Sequence, residues 1–554
     1  MPQFSIVLPT LRRPDTLEHS LQTALRQPRD DLEIVVQNNG DDADSRRLVE
    51  GLGDARARHF ATDSVLAMGH NWERALGNSR GEWVTFVGDD DGLLPDACAV
   101  LANLGGLDDY ELLTWTPPMY LWPEYQDSRR RNRLEARVEF DPVATRVRSP
   151  AFLERFYRFD EHFSRLPMIY NSFVRRSLIE RVVERHGRYF LGSVPDITSG
   201  IVNAAACDVF VRLTRPLSVW GVSHHSTGHK WARPGVRLGG EELGRDFPLL
   251  AGDNDEFPAW NFELVIAGEM ERMRLAVLDG DERFALDPKR LARHVASAIN
   301  NRPDQYEDTL RVLETMMAAH DIPRDDVPVP PRLEEPPVAP LGVTPLGPSS
   351  VRFVIDGDAI GLATIDDAVR LASQLFPSAA RVAWQDEEAA VPVVSTEPLS
   401  FTSGGGGRHA LVDGWSDAES WGTWAVGRES TMRFAVAANG RDTDAQMLRL
   451  GLKYRVIAAP GAEPLVVECT PPGGAPQRWT LGGANHQGQL TIDLPAPPDG
   501  EPVELTFVSA NPRSPAELGV GPDHRQLGIG VEELRILGTA DPRPRSRPRF
   551  RLRR

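Results

Sequence analysis

The first hundred residues alternate between continuous apolar runs and segments with helical spacing. Phe4–Thr10 is an apolar run, Pro14 opens a segment whose leucines recur at helical intervals, and Leu32–Val36 is a second apolar run. Continuous apolar runs are typical of strands that are buried on both faces, and proline favours the first position of a helix. The pattern therefore predicts a βαβ unit within a mostly parallel sheet.

The clearest chemical signal is a run of three aspartates at the end of another apolar run. Gly81–Val87 leads into Asp89–Asp91. Adjacent carboxylates repel one another, so such a run favours a bound divalent cation, although a solvated acidic turn is the plainer interpretation. In open α/β sheets, ligands bind beyond the carboxyl ends of the strands. Because Thr10 and Asn38 would lie at the same edge, we interpret the aspartates as part of a phosphate-binding site.

These stretches resemble the family 2 glycosyltransferases, which have the GT-A fold. The matching segments are Phe4–Thr10, Glu33–Gly40, Met68–Trp72 with Ala75 and Gly81–Trp83, and Gly88–Pro95. Members of that family use nucleotide-sugar donors and invert the configuration of the transferred sugar. The resemblance implies an α/β, Rossmann-like domain with a mostly parallel sheet and this transferase activity.

The resemblance also implies which residues bind the nucleotide sugar. They are Pro9, Thr10, Arg13, Asn38, Asn71 and Asp89. The loop after the first strand would contact the nucleotide, and Asp89 would lie near the ribose. Asn38 stands where many relatives have an aspartate that accepts a hydrogen bond from the base. An amide oxygen can still accept that bond, but it carries no charge.

For the cation, the resemblance implies Mn²⁺ or Mg²⁺ and an acidic signature that is counted back from Pro95. The second signature aspartate then falls on Asp90, while Gly88 takes the position of the first. We therefore expect Asp90 to bind the metal, with Asp91 as the alternative. GT-A enzymes often add a late histidine, and we assign that role to His225 among three candidates that the sequence does not separate: His224, His225 and His229.

An inverting transferase also needs a general base, which the resemblance places about a hundred positions after the metal site. Asp196 lies at the start of a predicted helix, Ile197–Ala206, and follows in the expected order. We take it as the candidate catalytic base. A helix cap is the alternative role for this aspartate, and the two roles are compatible.

The rest of the chain changes character several times. Helical spacing dominates after Trp231, a proline-rich stretch follows, and short runs between Gly, Pro and Asn clusters then predict antiparallel strands. We predict a GT-A domain at 1–245, a helical appendage at 246–325, a Pro-rich linker at 326–350, a small connecting α/β element at 351–400, a jelly-roll-like β-sandwich at 401–540 and a basic, disordered tail at 541–554.

The predicted sandwich carries two stretches, Gly414–Trp424 and Asn511–Ile529, that resemble an accessory domain of bacterial glycosyltransferases. Its tryptophans Trp415, Trp421 and Trp424 are candidates for a sugar platform. A tryptophan cluster in a sandwich is more often part of the core. Glycan binding by this domain is therefore a secondary hypothesis.

The composition of the chain restricts the binding partners that we expect. The chain has 554 residues and a net charge of −17, which argues against a nucleic-acid partner. It has neither a run of eighteen apolar residues nor a signal-peptide pattern, so we expect a cytoplasmic protein. The arginines of the tail at 541–554 suit anionic lipid at the inner face of the membrane, where many lipid-linked acceptors reside, although a solubilising tail fits equally well.

Two other functions share some of these features. A GT-A domain that has lost its chemistry would serve as a carbohydrate-binding scaffold, and Gly88 and Asn38 favour that interpretation because both depart from the usual pattern. A nucleotidyltransferase would need a glycine-rich loop after the first strand. Leu11–Pro14 has the charges of such a loop without the glycines. We therefore expect a metal-dependent transferase that acts on a glycan, lipid-linked or protein-linked acceptor.

Overall fold

The chain divides into two compact units, Met1–Ile322 with Arg332–Glu387, and Pro323–Pro331 with Glu388–Arg554. The computed structural model describes residues 2–106, 109–226, 260–346, 350–376, 382–387, 392–402, 405–416, 418–437, 447–457, 459, 461–482, 486–497, 501–521, 523 and 525–539. The predicted tail at 541–554 and His229 lie outside the described residues.

The first half of the chain alternates strands and helices, as predicted. Its strands are β1 (Phe4–Thr10), β2 (Leu32–Asn38), β3 (Ala57–Ala61), β4 (Trp83–Phe86), β5 (Gly92–Leu93), β6 (Leu112–Trp115), β7 (Met119–Leu121), β8 (Arg133–Glu139), β9 (Val143–Arg148), β10 (Ser172–Arg175), β11 (Val209–Leu213) and β12 (Ser218–Val222). Its helices are α1 (Pro14–Leu25), α2 (Ala43–Gly51), α3 (Met68–Asn78), α4 (Ala97–Asn103), α5 (Ser149–Tyr157), α6 (Arg176–His186) and α7 (Pro195–Ala205).

Elements that lie later in the chain complete this unit. They are the helices α8 (Phe262–Ala276), α9 (Pro288–Ala298), α10 (Tyr306–Ala319), α11 (Gly357–Ile360) and α12 (Ile365–Leu375), and the strands β13 (Gly342–Pro345), β14 (Ser350–Asp356) and β15 (Ala383–Asp386). Within the described residues, no helix combines the length and the apolar character needed to cross a membrane.

The main sheet has the order β15-β9-β11-β6-β10-β4-β1-β2-β3 in the described part of the chain. β1 runs parallel to both β2 and β4, whereas β10 is antiparallel to its two neighbours. Successive side chains point to opposite faces of a strand, so Ile6 packs with the cluster around α1 and Val7 packs with the cluster around α7. The predicted α/β class with a mostly parallel sheet is confirmed.

A second sheet, β13-β14-β8-β7-β12-β5, lies beside the first within the same unit. β14 pairs with β8 along its whole length, and β15 pairs with β9 at the edge of the main sheet. The structure therefore groups residues 332–387 with the N-terminal unit, whereas the sequence pattern predicts a separate linker and connecting element there. The physical reason is long-range strand pairing, which a local pattern does not reveal.

The helical segment shows a similar difference. The three predicted helices are present as α8, α9 and α10. However, α8 packs on α7, and its residues Val265, Ile266, Met270 and Met273 belong to the core cluster of the main sheet. This helix is thus part of the domain core rather than an appendage.

The second unit contains two mainly antiparallel sheets, β16-β20-β25-β22-β23 with β18 beside β20, and β17-β26-β21-β24 with β19 beside β26. The strands are β16 (Val393–Val394), β17 (Leu399–Ser400), β18 (Leu411–Asp413), β19 (Thr423–Val426), β20 (Glu429–Val436), β21 (Met447–Arg455), β22 (Leu465–Cys469), β23 (Gln477–Leu481), β24 (Gln487–Pro495), β25 (Val503–Ser509) and β26 (Leu527–Thr539). Alternating residues such as Met432, Phe434 and Val436 fill one core. The predicted antiparallel C-terminal region is confirmed.

Candidate active site

The three aspartates form a turn, here called the acidic turn (Gly88–Asp91), where the two sheets of the N-terminal unit meet. The N–H of Val87 donates to the carbonyl of Val7 at 2.9 Å, which holds the end of β4 in the main sheet. Just after the turn, Leu93 in β5 pairs with Ser218 in β12 of the second sheet. Strands from both sheets thus fix the position of the turn.

Gly221 lets β12 pass directly over the acidic turn. A Cβ atom built on Gly221 would overlap the carbonyl oxygen of Asp90. The N–H of Gly221 donates to Asp91 Oδ1 at 2.7 Å, and Trp122 Nε1 donates to the Asp90 carbonyl at 3.2 Å. A close backbone approach of this kind needs glycine.

Asp89 is held by two of the residues predicted to bind the nucleotide. Thr10 Oγ1 donates to Asp89 Oδ2 at 2.7 Å, and Arg13 Nη1 donates to Asp89 Oδ1 at 3.0 Å. The aspartate is only 4% exposed. Burial raises the pKa of its carboxyl, while the positive charge of Arg13 opposes that rise. The structure therefore brings Thr10, Arg13 and Asp89 together at the carboxyl ends of β1 and β4.

The two carboxylate oxygens of Asp90 differ in their hydrogen bonds among the described residues. Its Oδ2 accepts hydrogen bonds from Ser223 Oγ at 2.6 Å, from the Ser223 N–H at 3.3 Å and from Ser226 Oγ. These serines belong to the loop that follows β12. The hydrogen bonds among the described residues leave Oδ1 of Asp90 without a donor, so this oxygen is the one that a ligand would meet.

Asp91 instead closes the turn. Its Oδ1 accepts from the Gly221 N–H, and its Oδ2 accepts from the Gly88 N–H at 3.0 Å. Burial, followed by the negative charge of Asp90, raises the pKa of this carboxyl well above its usual range. A Cβ on Gly88 would stand 2.6 Å from Asp91 Oδ2, so a larger residue at position 88 would displace the Asp91 carboxylate.

Tyr170 belongs to a segment that is held between β4 and α7. Its short 3-10 turn, Ile169–Asn171, is held from both sides, because the Thr85 hydroxyl donates to the Ile169 carbonyl at 3.5 Å and the Ile169 N–H donates to Ser199 Oγ at 3.2 Å. The Tyr170 ring meets Trp72 edge-on, with ring centroids 4.8 Å apart.

The electrostatic surroundings of Tyr170 connect these parts of the site. Burial raises the pKa of the Tyr170 hydroxyl well above its usual range, and the negative charges of Asp91, Asp196, Asp89 and Asp90 add to that rise. The hydroxyl therefore stays protonated and remains able to donate a hydrogen bond. Asp196 and the acidic turn are therefore both near enough to influence the Tyr170 hydroxyl.

Asp196 occupies the second position of α7 and does not cap the helix. The cap residue is Val194, and Asp196 Oδ1 accepts from the neighbouring Ile197 N–H at 2.9 Å. Burial raises the pKa of the Asp196 carboxyl. A carboxylate that is harder to ionise than usual takes up a proton more readily, which suits a general base.

The loop before Asp196 rests on a buried glutamate. Glu269 on α8 has no exposed surface, and its Oε2 accepts from the Ser193 N–H at 3.2 Å. A Cβ on Gly192 would overlap the Glu269 carboxylate and Thr198. Burial raises the pKa of Glu269, and the charge of Asp196 adds to that effect. Glu269 thus positions the segment that leads into α7.

Two other predicted residues carry buried oxygens that meet no donor among the described residues. Pro9 and Thr10 pair with Gln37 and Asn38 across the parallel strands β1 and β2. Asn38 has no exposed surface and donates from Nδ2 to the Asp42 carbonyl at 3.1 Å. Within the described residues, no donor reaches Asn38 Oδ1 or the corresponding oxygen of Asn71, which is 3% exposed. A bound nucleotide has N–H and O–H groups that would satisfy both.

His225 lies beside α1 in the loop that follows β12. Its Nε2 is 3.3 Å from Asp15 Oδ2, and its own N–H donates to Ser223 Oγ at 3.1 Å. The rings of His224 and His225 lie close together, with centroids 3.7 Å apart. The loop therefore links His225 to Asp90 through Ser223.

The sequence analysis expects Asp90, Asp91 and His225 as possible ligands of a divalent cation. In the described part of the chain, the structure leaves ligand atoms available on only some of these residues. Asp90 offers a carboxylate oxygen and His225 an imidazole, which are ligands that suit Mn²⁺, and carboxylate oxygen also suits Mg²⁺. Asp91, the alternative ligand, uses both of its oxygens to accept backbone N–H groups. Asp90 and Asp91 thus make different contacts in the structure. The sequence does not reveal this difference, because the two side chains are chemically identical.

Residues 5–183 match the family model described as glycosyl transferase family 2. This match spans β1 to β10 and includes the acidic turn, whereas Asp196 and the histidine loop follow it. The parallel sheet and its edge of polar residues are typical of an α/β domain that binds a ligand beyond the carboxyl ends of its strands. Residues 5–183, which lie in the N-terminal unit, thus match the family that the sequence resemblance indicates.

Three individual proteins show how far the likeness extends. The GalNAc(5)-diNAcBac-PP-undecaprenol beta-1,3-glucosyltransferase of Campylobacter jejuni is 33% identical over 104 residues, which cover 18% of this chain and 34% of that protein. The chain therefore spans about a third of that curated relative. The structure of S. aureus TarS covers 89% of this chain and 72% of its own at 12% identity, with a TM-score of 0.34.

The third is the mannosyltransferase PcManGT of Pyrobaculum calidifontis, solved with GDP-Man and Mn²⁺. It covers 58% of this chain and 88% of its own at 17% identity, with a TM-score of 0.31. Likenesses at these TM-scores carry no argument about the activity of this chain. Its function has to be argued from its own site.

Sequence reasoning missed several residues of that site. Tyr170 and Glu269 lie in segments without a motif, and only packing brings them to Asp196. Ser223 and Ser226 could have been suspected from their place beside the predicted histidines. Asp15 carried a usable signal, since it follows the proline that opens α1 at the ligand edge of the sheet.

Proposed function

We propose that this protein is a metal-dependent, inverting glycosyltransferase that moves a sugar from a nucleotide-diphosphate donor to a hydroxyl group of an acceptor. The observation that carries the proposal is the acidic turn, in which Asp89 and Asp90 are buried beside the ends of β1 and β4 and one oxygen of Asp90 meets no donor among the described residues. Burying neighbouring carboxyl groups such as Asp89 and Asp90 is unfavourable unless a ligand uses them. The family 2 domain supplies the class of reaction, and the site supplies the residues for it.

Asp90 and His225 would hold Mn²⁺ or Mg²⁺ on the donor side. A cation bound there supplies positive charge for a diphosphate leaving group. Asp91 keeps the turn in shape by binding the Gly88 and Gly221 N–H groups. Thr10 and Arg13 hold Asp89 towards the ribose.

Asp196 would act as the general base. In its ionised form it accepts the proton of the acceptor hydroxyl while the oxygen attacks the sugar from the face opposite the diphosphate. That direction of attack inverts the configuration at the anomeric carbon. Tyr170, which stays protonated, donates a hydrogen bond to an oxygen of the sugars that pass between Asp196 and the acidic turn.

The nucleotide would lie over β1 and β2. The oxygens of Asn38 and Asn71 lack donors among the described residues, and a base and a ribose provide them. Because Asn38 is neutral, the bond to the base is weaker than one to an aspartate, and shape has to contribute more to the choice of base. Pro9 contributes the rigid end of β1 to this surface.

For the acceptor, we propose a glycan or a lipid-linked glycan of a bacterial surface polysaccharide. The curated relative from Campylobacter jejuni acts on an undecaprenol-linked acceptor by its name. The arginines at 543–554 would hold the enzyme at anionic lipid on the inner face of the membrane. Sedimentation with anionic vesicles, compared between the full chain and a chain that ends at 540, tests that contact; equal sedimentation would argue for a solubilising tail.

The central test is a screen of nucleoside diphosphates and nucleotide sugars by thermal shift, with and without Mn²⁺. A true donor raises the melting temperature more with the cation than without it, because ligands that bind only the folded state stabilise it. The selected donor is then incubated with polyprenol-linked glycans, and NMR of the product reports the anomeric configuration. Donor binding without transfer or hydrolysis would favour the scaffold alternative, and a retained configuration would exclude the inverting mechanism.

A further inference from the structure

The segment directly before α7 has no helix or strand of its own. It is called the base loop here (residues 189–194) and lies between α6 and α7. The regular hydrogen bonds of a helix or sheet do not satisfy backbone N–H groups in such a segment, so other groups have to accept them. Because Asp196 is only the second residue of α7, the conformation of the base loop sets its position.

Two glutamates from different helices accept N–H groups of the base loop. Oε2 of Glu73, on α3, accepts the N–H of Tyr189 at 3.2 Å and the N–H of Phe190 at 3.0 Å. Oε2 of Glu269, on α8, accepts the N–H of Ser193 at 3.2 Å. The loop is thus held near both of its ends by carboxyl groups that lie far apart in the chain.

The contact with Glu269 is closely packed. A Cβ built on Gly192 would overlap the Glu269 carboxyl group, which has no exposed surface. Arg272 Nε lies 3.4 Å from the other oxygen of Glu269, Oε1. Burial raises the pKa of Glu269, but a carboxyl oxygen can accept the Ser193 N–H in either protonation state. The hydrogen bond to the loop therefore does not depend on the charge of this residue.

The helix α3 connects the base loop with the donor side of the site. It carries Asn71, whose buried oxygen the proposed function assigns to the nucleotide, two positions before Glu73. Between them, the ring of Trp72 meets Tyr170 at 4.8 Å and Phe190 at 5.4 Å between centroids. The same helix therefore contacts both Tyr170 and the base loop.

We propose that Glu73 and Glu269 are positioning residues that hold the base loop, and with it Asp196, in the geometry that transfer requires. They act through the backbone of residues 189–193 and not on the substrate. A misplacement of about 1 Å in a reacting group can lower a rate about 100-fold. Glu269 lies outside residues 5–183, so this role adds to the site a helix that the family model does not cover.

The catalytic consequence rests on the proposed function, in which Asp196 is the general base, whereas the holding of the loop does not. The experiment therefore measures both on the full-length protein. Hydrogen exchange followed by mass spectrometry, without any ligand, reports the protection of residues 189–193. Steady-state kinetics with the donor selected by thermal shift give kcat and the donor KM, and circular dichroism reports folding.

Each glutamate is replaced in two ways. Glu73→Gln and Glu269→Gln keep an oxygen that accepts an N–H, whereas Glu73→Met and Glu269→Met keep the length of the side chain without that oxygen. Glu271→Met is the matched control, because Glu271 lies on the same helix as Glu269 and pairs with Arg274 instead of the loop.

We expect Glu73→Met and Glu269→Met to speed exchange in residues 189–193 at least about fivefold. They should lower kcat about tenfold and leave the donor KM within about twofold of wild type. Glu73→Gln and Glu269→Gln should keep kcat within about threefold, because the acceptor oxygen remains. The control should match wild type in all three quantities. A purely structural role would neither separate kcat from KM nor be rescued by glutamine.

Two results would overturn the proposal. One is wild-type exchange and wild-type kcat in folded Glu73→Met and Glu269→Met. The other is a folded Glu269→Gln protein whose kcat falls as far as we expect for Glu269→Met, and this result decides even if Glu269→Met does not fold. Faster exchange in these variants of a protein without transferase activity would support the holding of the loop and reject the proposed function. The two hypotheses can therefore fail separately.

Discussion

The N-terminal site around the acidic turn and the tryptophan cluster of the C-terminal unit differ in how many of their side-chain groups find partners within the protein. Trp415 Nε1 donates to the Thr431 carbonyl at 2.8 Å, and Trp421 Nε1 donates to Glu419 at 2.7 Å. The Arg455 guanidinium lies 4.3 Å from the Trp421 ring centroid, and the Trp424 ring meets Trp421 at 4.8 Å. Each indole in this cluster has partners within its own unit.

The N-terminal site is built in the opposite way. It buries neighbouring carboxyl groups whose pKa values rise, and it leaves the oxygens of Asn38 and Asn71 without donors among the described residues. An unsatisfied buried polar group costs about 1 to 3 kcal/mol. In the tryptophan cluster the described polar contacts lie within the unit, whereas the N-terminal site holds buried amide oxygens that a ligand could pair.

The largest expected effect is the loss of transfer in Asp90→Ala. Removing the one carboxylate of the acidic turn with an available oxygen should lower the transfer rate at least about 100-fold, because the leaving group loses charge stabilisation. The melting temperature should fall, because Ser223 and Ser226 lose their acceptor, but the protein should stay folded. The rate is measured by product formation from a labelled nucleotide sugar, with Asp63→Ala as the matched control. If the Asp90→Ala enzyme stayed active, the acidic turn would not serve catalysis, and it would not differ in this respect from the tryptophan cluster.

Asp196→Asn comes next, with a loss of roughly 100-fold or more, because an amide cannot take the acceptor proton. Donor affinity should be retained. In the wild type, the rate should rise with pH as Asp196 ionises, and burial places that rise above the ordinary aspartate value of about 3.9. The rate is therefore lost as pH falls through the raised pKa. A pH-independent rate down to about pH 4 would contradict the assignment of Asp196 as base.

Asn71→Ala should have a smaller effect on activity. Removing an oxygen that has no donor in the described structure takes no hydrogen bond from the fold, so the melting temperature should fall by less than about 3 °C. Nucleotide affinity should drop about tenfold, since a hydrogen bond to the ligand is lost. Scanning calorimetry measures the melting temperature, and titration calorimetry with the nucleoside diphosphate measures the affinity. A large loss of stability with unchanged affinity would place Asn71 among the structural residues.

Trp421→Ala should affect activity least. The variant loses the contacts with Trp424 and Arg455, so the free energy of unfolding of the C-terminal unit should fall by about 2 kcal/mol. Transfer to a short acceptor should not change. Denaturant unfolding followed by circular dichroism measures the stability, and Trp421→Phe, which keeps an aromatic ring, serves as the control. Unchanged stability together with lost glycan binding would make the cluster a sugar platform instead.

The sequence predicts the elements whose signals are local. The apolar run of β1, the proline at the start of α1 and the aspartates after β4 all lie where the pattern places them. The residues that the pattern misassigns or omits depend on contacts between distant segments. Asp91 and Asp90 are chemically alike, and only the approach of Gly221 from β12 separates their tasks.

The division into domains shows the same limit. β14 looks like an isolated strand in sequence, because nothing local indicates that it pairs with β8 about 215 positions earlier. Tyr170 likewise has no motif, and it enters the site through Thr85 on one side and Ser199 on the other. Pairing partners of this kind are set by the whole fold rather than by the spacing of neighbours.

The placement of α12 has a practical consequence for anyone who wishes to express the N-terminal unit alone. Val369 on this helix would overlap a side chain at Gly92, directly after the acidic turn, and Asp366 forms an ion pair with Arg26 of α1. A gene fragment that stops near codon 325, as the sequence pattern suggests, would omit this support. A fragment that extends through Glu387 encodes every described strand of both sheets.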